Sequence, residues 1–133
     1  MRTCERERER EREDDERRRL ILIVEDEFFI AMDLRAALIK GGFAVLGPVG
    51  SVQGAVDLLQ NERPDAAVLD VNLGDGKVTP VAVLLQSLGV PFVLASACER
   101  SELLQNAILA SAVNVGKPTE MKHLLDAIKA LGI

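Results

Sequence analysis

From Leu20 onward, hydrophobic residues come in short unbroken blocks set between stretches of mixed polarity. Leu20-Ile21-Leu22-Ile23-Val24 is an apolar run of strand length, and it stops abruptly at Glu25-Asp26-Glu27. A short run with no polar residue suits a strand covered on both faces, as in a parallel sheet. Four more blocks read the same way: Phe43–Val49, Ala66–Val71, Val90–Ala95 and Ala112–Val115.

Between the blocks the period changes. In Phe28–Lys40, the residues Ile30, Leu34, Ala37 and Leu38 fall on one helical face, Asp33 and Lys40 fall away from it, and Gly41-Gly42 follows as a stop. Ser51 is placed to cap a helix running through Glu62, before Pro64, and Thr119 with Glu120 is expected to open the last helix, through Leu131. Two further helices are expected at Pro80–Leu88 and Arg100–Leu109. Five strands alternating with five helices over short connections predict an α/β fold: a doubly wound five-stranded parallel sheet with helices on both faces.

Length and charge narrow the picture. With 133 residues, the chain is expected to hold one domain of ordinary size. Met1–Arg19 alternates Glu and Arg and has eight acidic and eight basic residues, so the remainder carries the whole net charge of −5. We expect two parts, a charged and disordered tail at 1–19 and a globular domain at 20–133. An acidic body argues against nucleic acid or an anionic membrane as partner. No run approaches the roughly 20 apolar residues of a membrane span and no secretory leader is evident, so a cytoplasmic protein is expected. Cys4 and Cys98 are far apart and lack metal-ligand spacing, as reduced thiols would be.

In an open parallel sheet, ligands collect beyond the carboxyl ends of the strands. The residues there are Glu25 and Asp26 after the first block, Asp70 at the third, Ser96 after the fourth and Lys117 after the fifth. Three carboxylates on one rim repel one another unless a cation lies among them, and Mg²⁺ suits an oxygen-only site that keeps several waters. Asp70 then becomes a carboxylate nucleophile toward a phosphoryl group. Asp26 is expected to ligate the ion directly and Glu25 through water, with the Asn72 main-chain carbonyl as a further oxygen. Lys117 and the Ser96 hydroxyl would each meet a phosphoryl oxygen. A rival chemistry, haloacid-dehalogenase-like phosphate hydrolysis, needs a second Asp two residues beyond the nucleophile, where this chain has Asn72. Gly74-Asp75-Gly76 is read as a turn rather than a phosphate loop, because the Walker pattern is absent. His123 on the last helix and Cys98 near the rim are read as having no part in the chemistry.

On these residues the chain resembles the response regulator receiver domains of two-component signalling, from about Leu20 to Leu131. The resemblance rests on Val24-Glu25-Asp26-Glu27, on Asp70 44 residues after Asp26, on Ser96 and on Lys117-Pro118. It implies a flavodoxin-like receiver fold with strand order 2-1-3-4-5. It also implies Asp70 as phosphoacceptor, metal held by Glu25, Asp26, Asp70 and the Asn72 carbonyl, phosphoryl contacts from Ser96, the Ala97 main chain and Lys117, and a cis Lys117–Pro118 bond. Pro91-Phe92-Val93-Leu94-Ala95-Ser96-Ala97 is similar to the Pro-Phe-x-Phe-Ala-Thr-Gly stretch of an atypical alphaproteobacterial group of single-domain regulators, differing at Leu94, Ser96 and Ala97.

The implied function is that of a stand-alone switch rather than an enzyme turning over a separate substrate. Its partners would be a histidine kinase or histidine phosphotransfer protein and a downstream protein, with a second copy of the chain as another route to output. No output domain is expected beyond Ile133. A phosphorylation-independent scaffold is the alternative within the family. Asn114 stands where most receivers carry an aromatic switch residue. It is expected to stay near the surface, leaving the Ser96–Ser101 loop and the helix after it to carry the response.

Overall fold

The structure, a computed structural model, describes residues 18–98 and 100–133. The expectation of a disordered tail therefore falls almost wholly outside the described residues. Its last two residues, Arg18 and Arg19, are described, and the Arg19 carbonyl accepts the Ala44 N–H at 2.9 Å and so joins the sheet.

Four parallel strands form the sheet: β1 (Leu20–Val24), β2 (Ala44–Val49), β3 (Ala66–Leu69) and, last in the chain, β6 (Phe92–Leu94). Their order is β2-β1-β3-β6. Between β3 and β6 lies a two-stranded antiparallel hairpin, β4 (Asn72–Leu73) and β5 (Gly76–Lys77), turning through Gly74 and Asp75. The helices are α1 (Phe28–Lys40), α2 (Val52–Leu59), α3 (Thr79–Ser87), α4 (Arg100–Leu103), α5 (Ala107–Ala110) and α6 (Met121–Ala130).

The continuous apolar strands are explained by what lies on each side of the sheet. Ile21, Ile23, Val68 and Val93 pack with Leu34 and Leu38 of α1 and with Leu124 and Ile128 of α6. Leu22, Val24, Leu69 and Leu94 face the other way, onto Ala55 and Leu59 of α2, Val81, Ala82 and Leu85 of α3, and Leu109 of α5. Each strand thus alternates between two cores, and neither face needs a polar residue. The cores end where the apolar runs end, so the charged residues emerge on one rim.

Three expectations are corrected. The fifth strand, expected at Ala112–Val115, is reduced to one parallel bridge between Leu94 and Asn114, with Leu94 N–H to Val113 O and Val115 N–H to Leu94 O both at 2.8 Å. It stops because the Asn114 side chain accepts the Gly116 N–H at 3.0 Å, closing an Asx turn, while Gly116 takes φ +80°, which leaves the extended region. The helix expected over Arg100–Leu109 is two short ones. Asn106 divides them: its side chain accepts the Ile108 N–H at 3.1 Å and caps α5, and its amide donates to Thr79 Oγ1 at 3.1 Å. Thr119 does not cap α6; its hydroxyl donates back to the Gly116 carbonyl at 2.6 Å, and the first helical residue is Met121. Ser51 does cap α2, accepting the Gly54 N–H at 2.9 Å.

The end of β2 carries one extra residue. Leu22 pairs with Leu46 and Val24 with Val49, so three steps on β2 match two on β1. The bulge lies at Gly47, with φ +91°. It brings the Val49 carbonyl opposite the Glu25 N–H at 2.9 Å, which fixes the first acidic residue beyond β1.

Candidate functional site

Glu25 and Asp26 follow β1, Asp70 follows β3, Ser96 lies just beyond β6, and Lys117 follows the one-bridge fifth segment. The backbone sets their positions: the Asp70 N–H bonds the Val24 carbonyl at 2.8 Å, and the Ala95 N–H bonds the Leu69 carbonyl at 2.9 Å. The parallel ladder therefore carries neighbouring strand ends to the same level, and the side chains next in sequence meet. Carboxylate oxygens of Glu25, Asp26 and Asp70 all lie within 4.8 Å of one another. Glu25 and Asp70 are buried, while Asp26 is exposed.

Lys117 is the cation among them. Its Nζ lies 3.0 Å from Glu25 Oε1 and 3.2 Å from Asp70 Oδ2. Glu25 Oε1 also accepts the Glu27 N–H at 3.2 Å, whereas Glu25 Oε2 is buried and has no hydrogen-bond partner among the described residues. Burial raises the Glu25 pKa above its ordinary value; the Lys117 hydrogen bond opposes this, and the Asp70 charge adds to it. Burial pulls Lys117 down, but its bonds and charge interactions with Glu25 and Asp70 outweigh that and hold its pKa above normal. One ammonium cannot balance three carboxylates, and a buried lone carboxylate oxygen is costly without a partner. The donor set is therefore incomplete as it stands, and oxygen-only ligands at this separation fit a hard divalent ion such as Mg²⁺.

An open cleft of about 340 Å³ lies against this cluster, walled by Asp70, Asn72, Ser96, Cys98 and Lys117 with Glu27 and Glu102 at its edge. The Ser96 hydroxyl accepts the Cys98 N–H at 3.0 Å, which leaves its own hydrogen free for an acceptor in the cleft. Asn72 is exposed and its amide meets Cys98 Sγ at 3.0 Å. That contact was not foreseen from the sequence, because Asn72 and Cys98 are 26 residues apart and only the sheet order makes them neighbours. Ala97 is exposed at the mouth of the cleft, and the Lys117–Pro118 peptide is cis. His123 lies exposed on α6, away from the residues lining the cleft.

Asn114 corrects the sequence reading. It is half-buried rather than at the surface, and both ends of its carboxamide are engaged. Oδ1 accepts the N–H groups of Ser96 at 3.1 Å and Gly116 at 3.0 Å, and Nδ2 donates to the Ser96 carbonyl at 3.2 Å. Burial that would be costly for an unpartnered amide is tolerated because the partners are supplied.

The class the fold and site define is a parallel α/β domain whose polar groups gather at the carboxyl ends of its strands, with two acidic residues after the first strand, a buried Asp after the third and a Lys that reaches Glu25 and Asp70. The chain belongs to the response regulator receiver domain family, whose description matches residues 21–129. It is 32% identical over 114 residues to the transcriptional regulatory protein PdtaR of Mycobacterium tuberculosis, an alignment covering 84% of this chain and 55% of that protein. The chain thus spans about half the length of that relative. It is 27% identical over 111 residues to the chemotaxis protein CheY of Bacillus subtilis, covering 81% of this chain and 92% of CheY. Among solved structures, SdrG from Sphingomonas melonis superposes with a TM-score of 0.74 at 36% identity, over 87% of this chain and 98% of SdrG. Receiver domains are signalling domains that work with kinases or phosphotransfer proteins and with downstream partners. Among the described residues no helix is long and apolar enough to cross a membrane.

Proposed function

We propose that Asp70 accepts a phosphoryl group from a histidine kinase or histidine phosphotransfer protein, and that the phosphorylated chain is then recognised by a downstream protein or a second copy of itself. The observation that carries this reading is the meeting of Lys117 with both Glu25 and Asp70 beside the orphaned Glu25 Oε2. Asp70 Oδ attacks phosphorus, and the P–N bond to the donor imidazole breaks with its electron pair returning to nitrogen. Lys117 then neutralises one phosphoryl oxygen while the Ser96 hydroxyl and the Ala97 N–H donate to others. Glu25, Asp26, Asp70 and the Asn72 carbonyl would hold Mg²⁺, which when bound supplies the positive charge that offsets the incoming phosphoryl group. This is a switch in the cytoplasm, with no separate substrate to turn over.

The hydrolase alternative is not favoured, because Asn72 offers an amide, already directed at Cys98, where a general acid is required. The test is intact-mass spectrometry after incubation with Mg²⁺ and acetyl phosphate. The parent chain is expected to gain a single phosphoryl adduct that Asp70→Asn lacks, and an adduct that survives this substitution would overturn the assignment.

A further inference from the structure

The sheet's last ladder is finished by a side chain. Main-chain pairing between β6 and the segment beside it ends at the Leu94–Asn114 bridge, because Gly116 turns away. The Ser96 N–H and C=O, next along β6, would be left without strand partners. The Asn114 carboxamide meets both, accepting at 3.1 Å and donating at 3.2 Å, with the donor–acceptor pairing a neighbouring peptide would have provided. The same Oδ1 holds the Gly116 N–H, immediately before Lys117.

We propose that Asn114 is a positioning residue that ties the backbone of the hydroxyl donor Ser96 to the loop of the cation Lys117, so that both phosphoryl-binding groups are held as one unit. This rests on the reading of Asp70 as phosphoacceptor. Such a clamp needs a donor and an acceptor on one short planar group, which Asn provides and an aromatic ring does not. It also restricts how Ser96 responds. With the Ser96 backbone held at both N–H and C=O, the hydroxyl reaches the phosphoryl group by turning about its side-chain bond. In doing so it gives up the Cys98 N–H it now accepts at 3.0 Å. The signal then leaves through the segment that follows Ser96 rather than through movement of residue 114.

The experiment compares the full chain with Asn114→Ala and Asn114→Asp, reading amide exchange by NMR, affinity for Mg²⁺ alone, and affinity for beryllofluoride with Mg²⁺. In Asn114→Ala, exchange at Ser96 and Gly116 is expected to rise at least about tenfold, with the β1 and β3 amides unchanged. Beryllofluoride affinity is expected to fall about tenfold, a change of about 1.4 kcal/mol, with Mg²⁺ affinity unaltered. Asn114→Asp keeps the acceptor for both N–H groups and is expected to recover most of their protection; it also carries the comparison if the alanine variant does not fold. Exchange that rises across the whole chain, or parental beryllofluoride affinity in Asn114→Ala, overturns the inference alone. A parent chain that takes up no beryllofluoride overturns the Asp70 reading, and the switch role of Asn114 with it.

Discussion

Asp26 and Asp70 belong to one cluster but differ in what surrounds them, and their substitutions are expected to differ accordingly. Asp70 is buried and bonded to Lys117, so its replacement disturbs the site itself. Asp26 is exposed and no hydrogen bond fixes it among the described residues, so its carboxylate is free to face an ion. Asp26→Ala should therefore leave folding within about 0.5 kcal/mol of the parent, as for an ordinary surface substitution. The same change should abolish Mg²⁺ binding and with it the Asp70 adduct. Thermal unfolding without metal checks the first part and Mg²⁺ titration the second; a variant that binds Mg²⁺ like the parent would place the ion elsewhere. The carboxylates and the lysine were legible in the sequence because each lies at or within two residues of the end of an apolar block. The Asn114 clamp was not, because a polar residue near a strand end looks the same whether its partners are water or a neighbouring backbone.

Among the elements, the β4–β5 hairpin is the one the sequence concealed. Asn72–Lys77 is too short and too polar to read as strands, and only Gly74-Asp75-Gly76 marked a turn. In the fold that turn has a second task. Asp75 accepts the N–H groups of Val52 at 2.9 Å and Gln53 at 3.2 Å, satisfying donors at the start of α2 that the helix itself leaves open. Those two bonds hold the Asp75 pKa below its ordinary value of 3.8. A lowered carboxylate contributes stability above its unfolded pKa and loses it as pH falls through the folded one. Asp75→Ala should thus unfold at a lower temperature than the parent near pH 7, and the gap should begin to narrow below pH 3.8 and close as the pH falls through the lowered folded pKa. Melting curves across that range decide it, and a gap that persists in acid would show that the loss is one of packing rather than of charge.

At the scale of the whole molecule, the two cores explain why the domain should fold without the charged segment that precedes it. That segment has almost no apolar residues to add to either. Removing residues 1–17 is expected to shift the midpoint of unfolding by less than about 4 °C, on the order of 1 kcal/mol for a domain of this size. A larger drop, seen by calorimetry, would mean that the arm packs. The first four sheet strands, the emergence of charge on one rim and the place of Glu25, Asp26, Asp70, Ser96 and Lys117 at the strand ends were legible in local pattern, whereas the order of the strands came from the family resemblance alone. A continuous apolar run specifies a doubly covered strand, and its end specifies where polar chemistry begins. Tertiary structure alone decided what happens where backbone groups have competing partners. Ala112–Val115 has the composition of a strand, yet it pairs at a single bridge because Asn114 and Gly116 turn the chain. Arg100–Leu109 has helical periodicity, yet Asn106 bonds Thr79 and restarts the helix. In both places an Asn carboxamide competes with the regular ladder for the same N–H groups, and which wins depends on neighbours distant in sequence that only the folded chain brings near.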